Sequence, residues 1–189
     1  MSDKKPEKTF LELIRKRRSV REFLKKPVEP EKIDLLVEAA LRSPSSRGLD
    51  PWEFIVVTDR ELLRKLSRSK PHGADFLAGA PLGIVVCADD ARSDVWVEDA
   101  SIASLYIWLT AESLGLGACW IQIRLRSRDE TQSARDYIAE LLKLPENLQV
   151  EAIIAVGYPK RKNSPHLKTN LKYDKVSLDF YREPYSEKG

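Results

Sequence analysis

Leu82–Ala88 is an unbroken run of apolar residues and glycine, Leu-Gly-Ile-Val-Val-Cys-Ala. A segment this short and this apolar reads as a strand buried on both faces. Three further strands are expected at Phe54–Thr58, Ala118–Ile123 and Val150–Val156. Helical patterns separate them. Thr9 and Glu12 form a capping box that opens a helix running to about Arg18. Pro30 opens a second, with Ile33, Leu36, Val37, Ala40 and Leu41 on one face, ending before Pro44. Thr58 and Glu61 cap a short helix through Leu66, and Ser127 and Glu130 cap another through Leu142.

The helix expected from Asp94 to Leu114 is of a different kind. Ile102, Leu105, Tyr106 and Leu109 mark one face, but Ala103, Ile107 and Trp108 make the rest apolar too. A helix with so little polar surface is central or covered by a partner. From Gly157 the chain turns Pro-rich and basic, with one extended candidate at Val176–Phe180. This tail carries little core of its own, and a second subunit is a natural surface for it.

A chain of 189 residues is long enough for one domain with a sizeable core. Its 42% hydrophobic and 32% charged residues are an ordinary soluble globular balance. A net charge of +3 is too mild to argue for nucleic acid. Residues 1–8 are polar, expected to be disordered, and unlike a signal peptide. No run approaches the ~20 apolar residues of a membrane helix. The cytoplasm is the expected compartment. Cys87 and Cys119, the only cysteines, sit in apolar runs and read as buried free thiols.

Four segments could carry chemistry. Arg17-Arg18-Ser19-Val20-Arg21 gathers three guanidinium groups suited to phosphate, though basic residues also complement a helix C-terminus. Ser43–Trp52 is a loop of small residues, where Ser45, Ser46, Arg47 and Gly48 allow close backbone approach to a ligand. It could equally be a plain connection. Gly115–Arg124 leads two glycines into an apolar strand ending at Gln122 and Ile123, which could present backbone N–H groups to a flat ring. Gly157-Tyr158-Pro159-Lys160-Arg161-Lys162 is a basic turn that could add a cation.

Together and in this order, with Asp99-Ala100-Ser101-Ile102-Ala103, these pieces resemble the FMN-dependent nitroreductase family over nearly the whole chain. The resemblance implies an α+β fold, an α/β/α sandwich around a mostly antiparallel mixed sheet. It implies a homodimer with FMN in the interface, the Asp94 helix at that interface, and the C-terminal strand exchanged between subunits. Residues 9–160 would form the FMN-binding domain and 161–189 an extension wrapping the partner.

Site residues follow from the same resemblance. Arg17, Arg18 and Ser19 would hold the phosphate and ribityl chain, and Arg21 the pyrimidine side of the ring, where a positive charge favours the reduced flavin. Ser45, Ser46, Arg47 and Gly48 would approach the ring. Gln122 and Ile123 would offer backbone groups to flavin N5. Arg161, Lys160 or Lys168 would add a late phosphate contact. Asp50 stands where glutamine is common in the family, and its charge would need offsetting by Arg47 or Arg124.

The implied activity passes hydride from NADH or NADPH through the flavin to a small flat aromatic acceptor, such as a nitroaromatic, quinone or flavin. No side chain need act as general acid or base. His72 and His166 lack evident partners, and neither metal-ligand spacing nor a Gly-x-Gly-x-x-Gly motif is present. The same resemblance admits dehalogenation, flavin breakdown, or flavin binding without turnover.

Overall fold

The computed structural model describes residues 9–185; the expected disorder of residues 1–8 lies outside them. The element order is α1 (Phe10–Lys16), α2 (Pro30–Leu41), β1 (Trp52–Val57), α3 (Arg60–Leu66), β2 (Leu82–Asp89), α4 (Trp96–Ser113), β3 (Gly117–Gln122), α5 (Ala134–Leu142) and β4 (Leu148–Gly157). The strands form one sheet in the order β1-β2-β4-β3, with every pair antiparallel. The mixed character comes from one parallel bridge outside the strands, Ser19 to Ala118.

Successive side chains of β2 enter two different cores, as strand pleating demands. Val85 and Cys87 pack with Leu63, Leu66 and Ile138, on the side of α3 and α5. Ile84 and Val86 pack with Leu36, Ala100 and Ile107, on the side of α2 and α4. Helices therefore cover both faces, giving the α/β/α sandwich, and β2 is buried along nearly its whole length.

Several boundaries differ from expectation. The capping box forms, with Thr9 Oγ1 accepting from the Glu12 N–H at 3.3 Å, but α1 stops at Lys16. Arg17 takes extended ψ of 133°, so the arginine cluster follows the helix rather than closing it. Asp59, not Thr58, caps α3, its carboxylate accepting from the Leu62 N–H at 2.7 Å. Ser127 and Glu130 start no helix. The Asp129 carboxylate instead accepts from the Thr131 and Gln132 N–H groups and folds a turn, so α5 begins only after Ser133, whose hydroxyl accepts from the Asp136 N–H. Helix α4 opens at Trp96, and Asp94 pairs with Arg47 instead of capping it.

Helix α4 is both central and uncovered. Ala100, Ala103, Ile107 and Ala111 are buried, while Ile102, Leu105 and Tyr106 face outward at 37–47% exposure. Val176–Phe180 is no sheet strand. Val176 and Leu178 bond instead to Tyr185 and Glu183 in a small exposed turn. No helix among the described residues is long and apolar enough to cross a membrane.

Candidate functional site

After α1 the chain runs extended along the edge of the sheet. The Val20 N–H donates to the Ala118 carbonyl at 3.0 Å, Leu24 N–H to Tyr158 at 2.8 Å, and Lys160 N–H to Glu22 at 2.9 Å. Gly117 permits this approach. A Cβ at that position would lie 2.6 Å from Val20 Cγ2 and 2.7 Å from Val20 Cβ, closer than real Cβ atoms come. Gly115, at φ +74°, first turns the chain out of α4 and into β3.

The arginines of this segment fan out. Arg17 stacks on the Trp108 ring of α4, 4.6 Å from its centroid, and Arg21 lies 5.8 Å from the centroid of Phe76. Arg18 reaches outward and donates to the Ser164 carbonyl. None of the three has a carboxylate partner among the described residues. Arg161, by contrast, pairs with Glu22 at 2.8 Å. Arg18 and Arg161 line two adjoining hollows, one of about 460 Å³ with Lys16, Gly117 and Lys162, the other of about 310 Å³ with Ser19 and Arg21. Lys168 is exposed on the tail.

Hydrogen-bond alternation along an antiparallel strand decides which backbone groups of β3 are free. The Ile123 N–H points inward to the Glu151 carbonyl at 3.1 Å, and its side chain is fully buried. The Ala118 carbonyl points outward to Val20. By the same alternation Trp120 and Gln122 turn their backbone groups toward the open edge. Of the two residues expected to offer backbone groups there, Ile123 has its N–H taken up by β4, and Gln122 faces the open edge.

The Ser43–Pro51 loop is held at the other end of α4. Buried Asp99 accepts from the Ser46 N–H at 2.8 Å and from the Ser93 hydroxyl at 3.0 Å. Arg47 and Gly48 both take positive φ, 56° and 63°. Ser45 donates its hydroxyl to the Asp50 carboxylate at 2.6 Å, and neither Arg47 nor Arg124 pairs with that carboxylate. Arg47 is committed to Asp94 and Arg124 to the Trp96 ring. Asp99 and Trp108 are nine residues apart on α4, about 14 Å along its axis. Within one chain the arginine cluster meets β3, and the Ser45–Gly48 loop stands apart from both.

Sequence patterns gave no sign of Lys70. It joins Arg21 beside Cys119, and Arg126 lies within its field. Burial and Arg126 push its ammonium below the usual lysine range. Both cysteines are free. Burial raises the Cys119 thiol and pushes Cys87 up to about 12.

Known proteins share this arrangement. The FMN-dependent nitroreductase from Clostridium difficile R20291 superposes with a TM-score of 0.88 at 47% identity, covering 89% of this chain and 98% of that one. The fold is therefore a nitroreductase-like α+β sandwich. A protein of Archaeoglobus fulgidus carrying the name NADH dehydrogenase/NAD(P)H nitroreductase is 40% identical over 154 residues, 79% of this chain and 85% of its own. An FMN reductase (NAD(P)H) of Bacillus subtilis is 28% identical over 203 residues, 90% of this chain and 78% of its own. The nitroreductase family model matches residues 14–71 and 66–158, and the chain belongs to that family.

Proposed function

We propose that this chain is an FMN-dependent NAD(P)H oxidoreductase that reduces small flat acceptors such as nitroaromatics, quinones or flavins. The observation that carries the reading is the pairing of Val20 with Ala118. It sets three guanidinium groups, which have no carboxylate partner among the described residues, beside a strand edge toward which the Trp120 and Gln122 N–H groups turn. A phosphate-bearing flat molecule fits that combination: cations for its tail, amide donors for its ring.

When bound, FMN supplies the hydride chemistry through its ring. The chain's own residues bind and orient it. Arg17, Arg18 and Ser19 face the phosphate and ribityl end, and Arg21 and Lys70 put positive charge near the ring. Donor and acceptor would use one stacking site in turn, which requires the first product to leave before the second substrate enters.

A homodimer completes this proposal. The Ser45–Gly48 loop lies too far along α4 to reach the arginine cluster of its own subunit. A second copy packed on the outward face of α4 would bring its loop to that cluster and cover Ile102, Leu105 and Tyr106. Residues 9–160 would then be the FMN-binding domain. Residues 161–189, exposed as far as Tyr185 apart from half-buried Tyr173, would wrap the partner.

Absorption spectra of the purified protein, before and after anaerobic NADH or NADPH, test the reading. Yellow protein bleached by the nicotinamide and recoloured by a nitroaromatic or quinone is expected. Colourless protein that retains no added FMN overturns it. Yellow protein that neither nicotinamide bleaches would make this a flavin-binding module instead.

A further inference from the structure

Strand β4 carries one residue more than its neighbour can pair. Val86 lies opposite Ala152 and Cys87 opposite Val150, so Glu151 bulges out of the ladder. Its carbonyl collects two donors at once, the N–H groups of Ile123 and Arg124, both at 3.1 Å. This is the point at which β3 leaves the sheet. The bulge therefore fixes where the open edge of β3 ends.

The Glu151 side chain is 3% exposed. Its Oε1 accepts one long bond from Gln122 Nε2 at 3.3 Å, and its Oε2 is buried with no partner among the described residues. Gln122 is held from both ends: Nε2 also reaches the Arg124 carbonyl at 3.2 Å, and its Oε1 accepts from the Trp120 indole at 2.9 Å. A carboxylate with one weak bond and one orphaned oxygen is much more costly to bury than a neutral carboxyl in the same place. Three charged or polar groups face it. Arg124 and Gln122, on the β3 side, favour the ionised form, and Glu98 of α4 opposes it. Cys87 of β2 packs on the opposite face of the sheet. Burial outweighs the rest and raises the carboxyl above its ordinary value.

We propose that Glu151 is a positioning residue for the ring-facing end of β3, holding the Gln122 amide in place while neutral and, once ionised, disturbing that end by drawing Arg124 and water toward the bulge. The role rests on the FMN reading above, since Gln122 is the residue whose backbone faces the ring there. A neutral carboxyl lets its carbonyl oxygen accept from Gln122 without drawing water or cations into the sheet. A charged one pulls Arg124 off Trp96 or admits water, and either change disturbs the two residues that terminate β3.

The test compares wild type, Glu151→Gln and Glu151→Ala in two measurements between pH 5 and 9: the FMN dissociation constant by flavin fluorescence, and the melting temperature of the flavin-free protein. Wild-type FMN binding is expected to weaken toward high pH by on the order of fivefold beyond any change in Glu151→Gln, the low end of ordinary coupling between sites. Glu151→Gln keeps the amide geometry and stays tight throughout. Glu151→Ala, where it folds, binds more weakly at every pH. In the flavin-free protein the melting temperature of wild type should fall relative to Glu151→Gln over the same interval. A Glu151→Gln binding profile that follows wild type overturns the role of Glu151 and leaves the FMN reading standing. Wild type that binds no FMN at any pH overturns the FMN reading, and the positioning role with it.

Discussion

Asp99, on the first turn of α4, accepts the backbone N–H of Ser46 across 53 residues of sequence, at 2.8 Å and with only 2% of its surface exposed. This one bond ties the small-residue loop to the helix whose far end supports Arg17. Two pieces of the family resemblance that look unrelated in sequence, Ser45–Gly48 and Asp99–Ala103, are thus one structural unit.

Replacing Asp99 by Ala should cost about 2–4 kcal/mol of unfolding free energy, since it orphans the Ser46 N–H and the Ser93 hydroxyl together. Asn at the same position can still accept from Ser46 and should cost about half as much. Denaturant melts of both variants measure the difference. Equal stability of Ala and wild type would remove Asp99 as the anchor of the loop.

Gly117→Ala sets a methyl against Val20 and should push the Arg17–Arg21 segment off β3. A loss of about 1–3 kcal/mol is expected, with weaker FMN retention. Val20→Ala in the same chain should recover part of both. A double-mutant cycle reads the coupling directly, and a cycle with no coupling would mean that the two residues do not meet.

Arg17→Gln and Arg21→Gln should each weaken FMN binding by about tenfold or more, the value of one hydrogen bond to a charged group. The melting temperature of the flavin-free protein should fall only slightly, because among the described residues neither arginine pairs with a carboxylate and each loses one ring contact. Flavin retention untouched in the double variant would argue against the proposed site.

The Glu29 carboxylate receives the Lys26 ammonium at 2.8 Å and the Tyr158 hydroxyl at 2.5 Å, which hold its pKa down to about 2. A lowered carboxylate contributes stability that is present above the ordinary value near 4.5 and lost as pH falls through about 2. Glu29→Gln should therefore flatten the acid limb of the stability curve between those pH values and leave its shape above pH 6 unchanged. Melting temperatures across pH 2–7 check this, and parallel acid limbs would refute it.

The element order was readable from periodicity, because burial leaves its period in the residues themselves: Leu82–Ala88 for a strand covered on both faces, Ile33–Leu41 for a helix covered on one. Helix starts were less legible. Thr58, Ser127 and Asp94 all looked like starts, yet Asp59, Ser133 and Val95 took those places. A side chain able to cap can just as well close a turn or meet a distant arginine, and local pattern does not distinguish these outcomes.

By itself the sequence determined the order of elements, the free thiols and the cationic segment, which follow from residue type and spacing, while the layers of the sandwich came through the resemblance to the family. Only the tertiary structure decided that Ile123 spends its N–H on β4, that Arg17 and the Ser46 loop occupy opposite ends of one helix, and that a glutamic acid bulges into the end of β3. These depend on strand register and on distances between residues far apart in the chain. A shift of one residue in the pairing would reverse all of the inward and outward groups without altering a letter of the sequence.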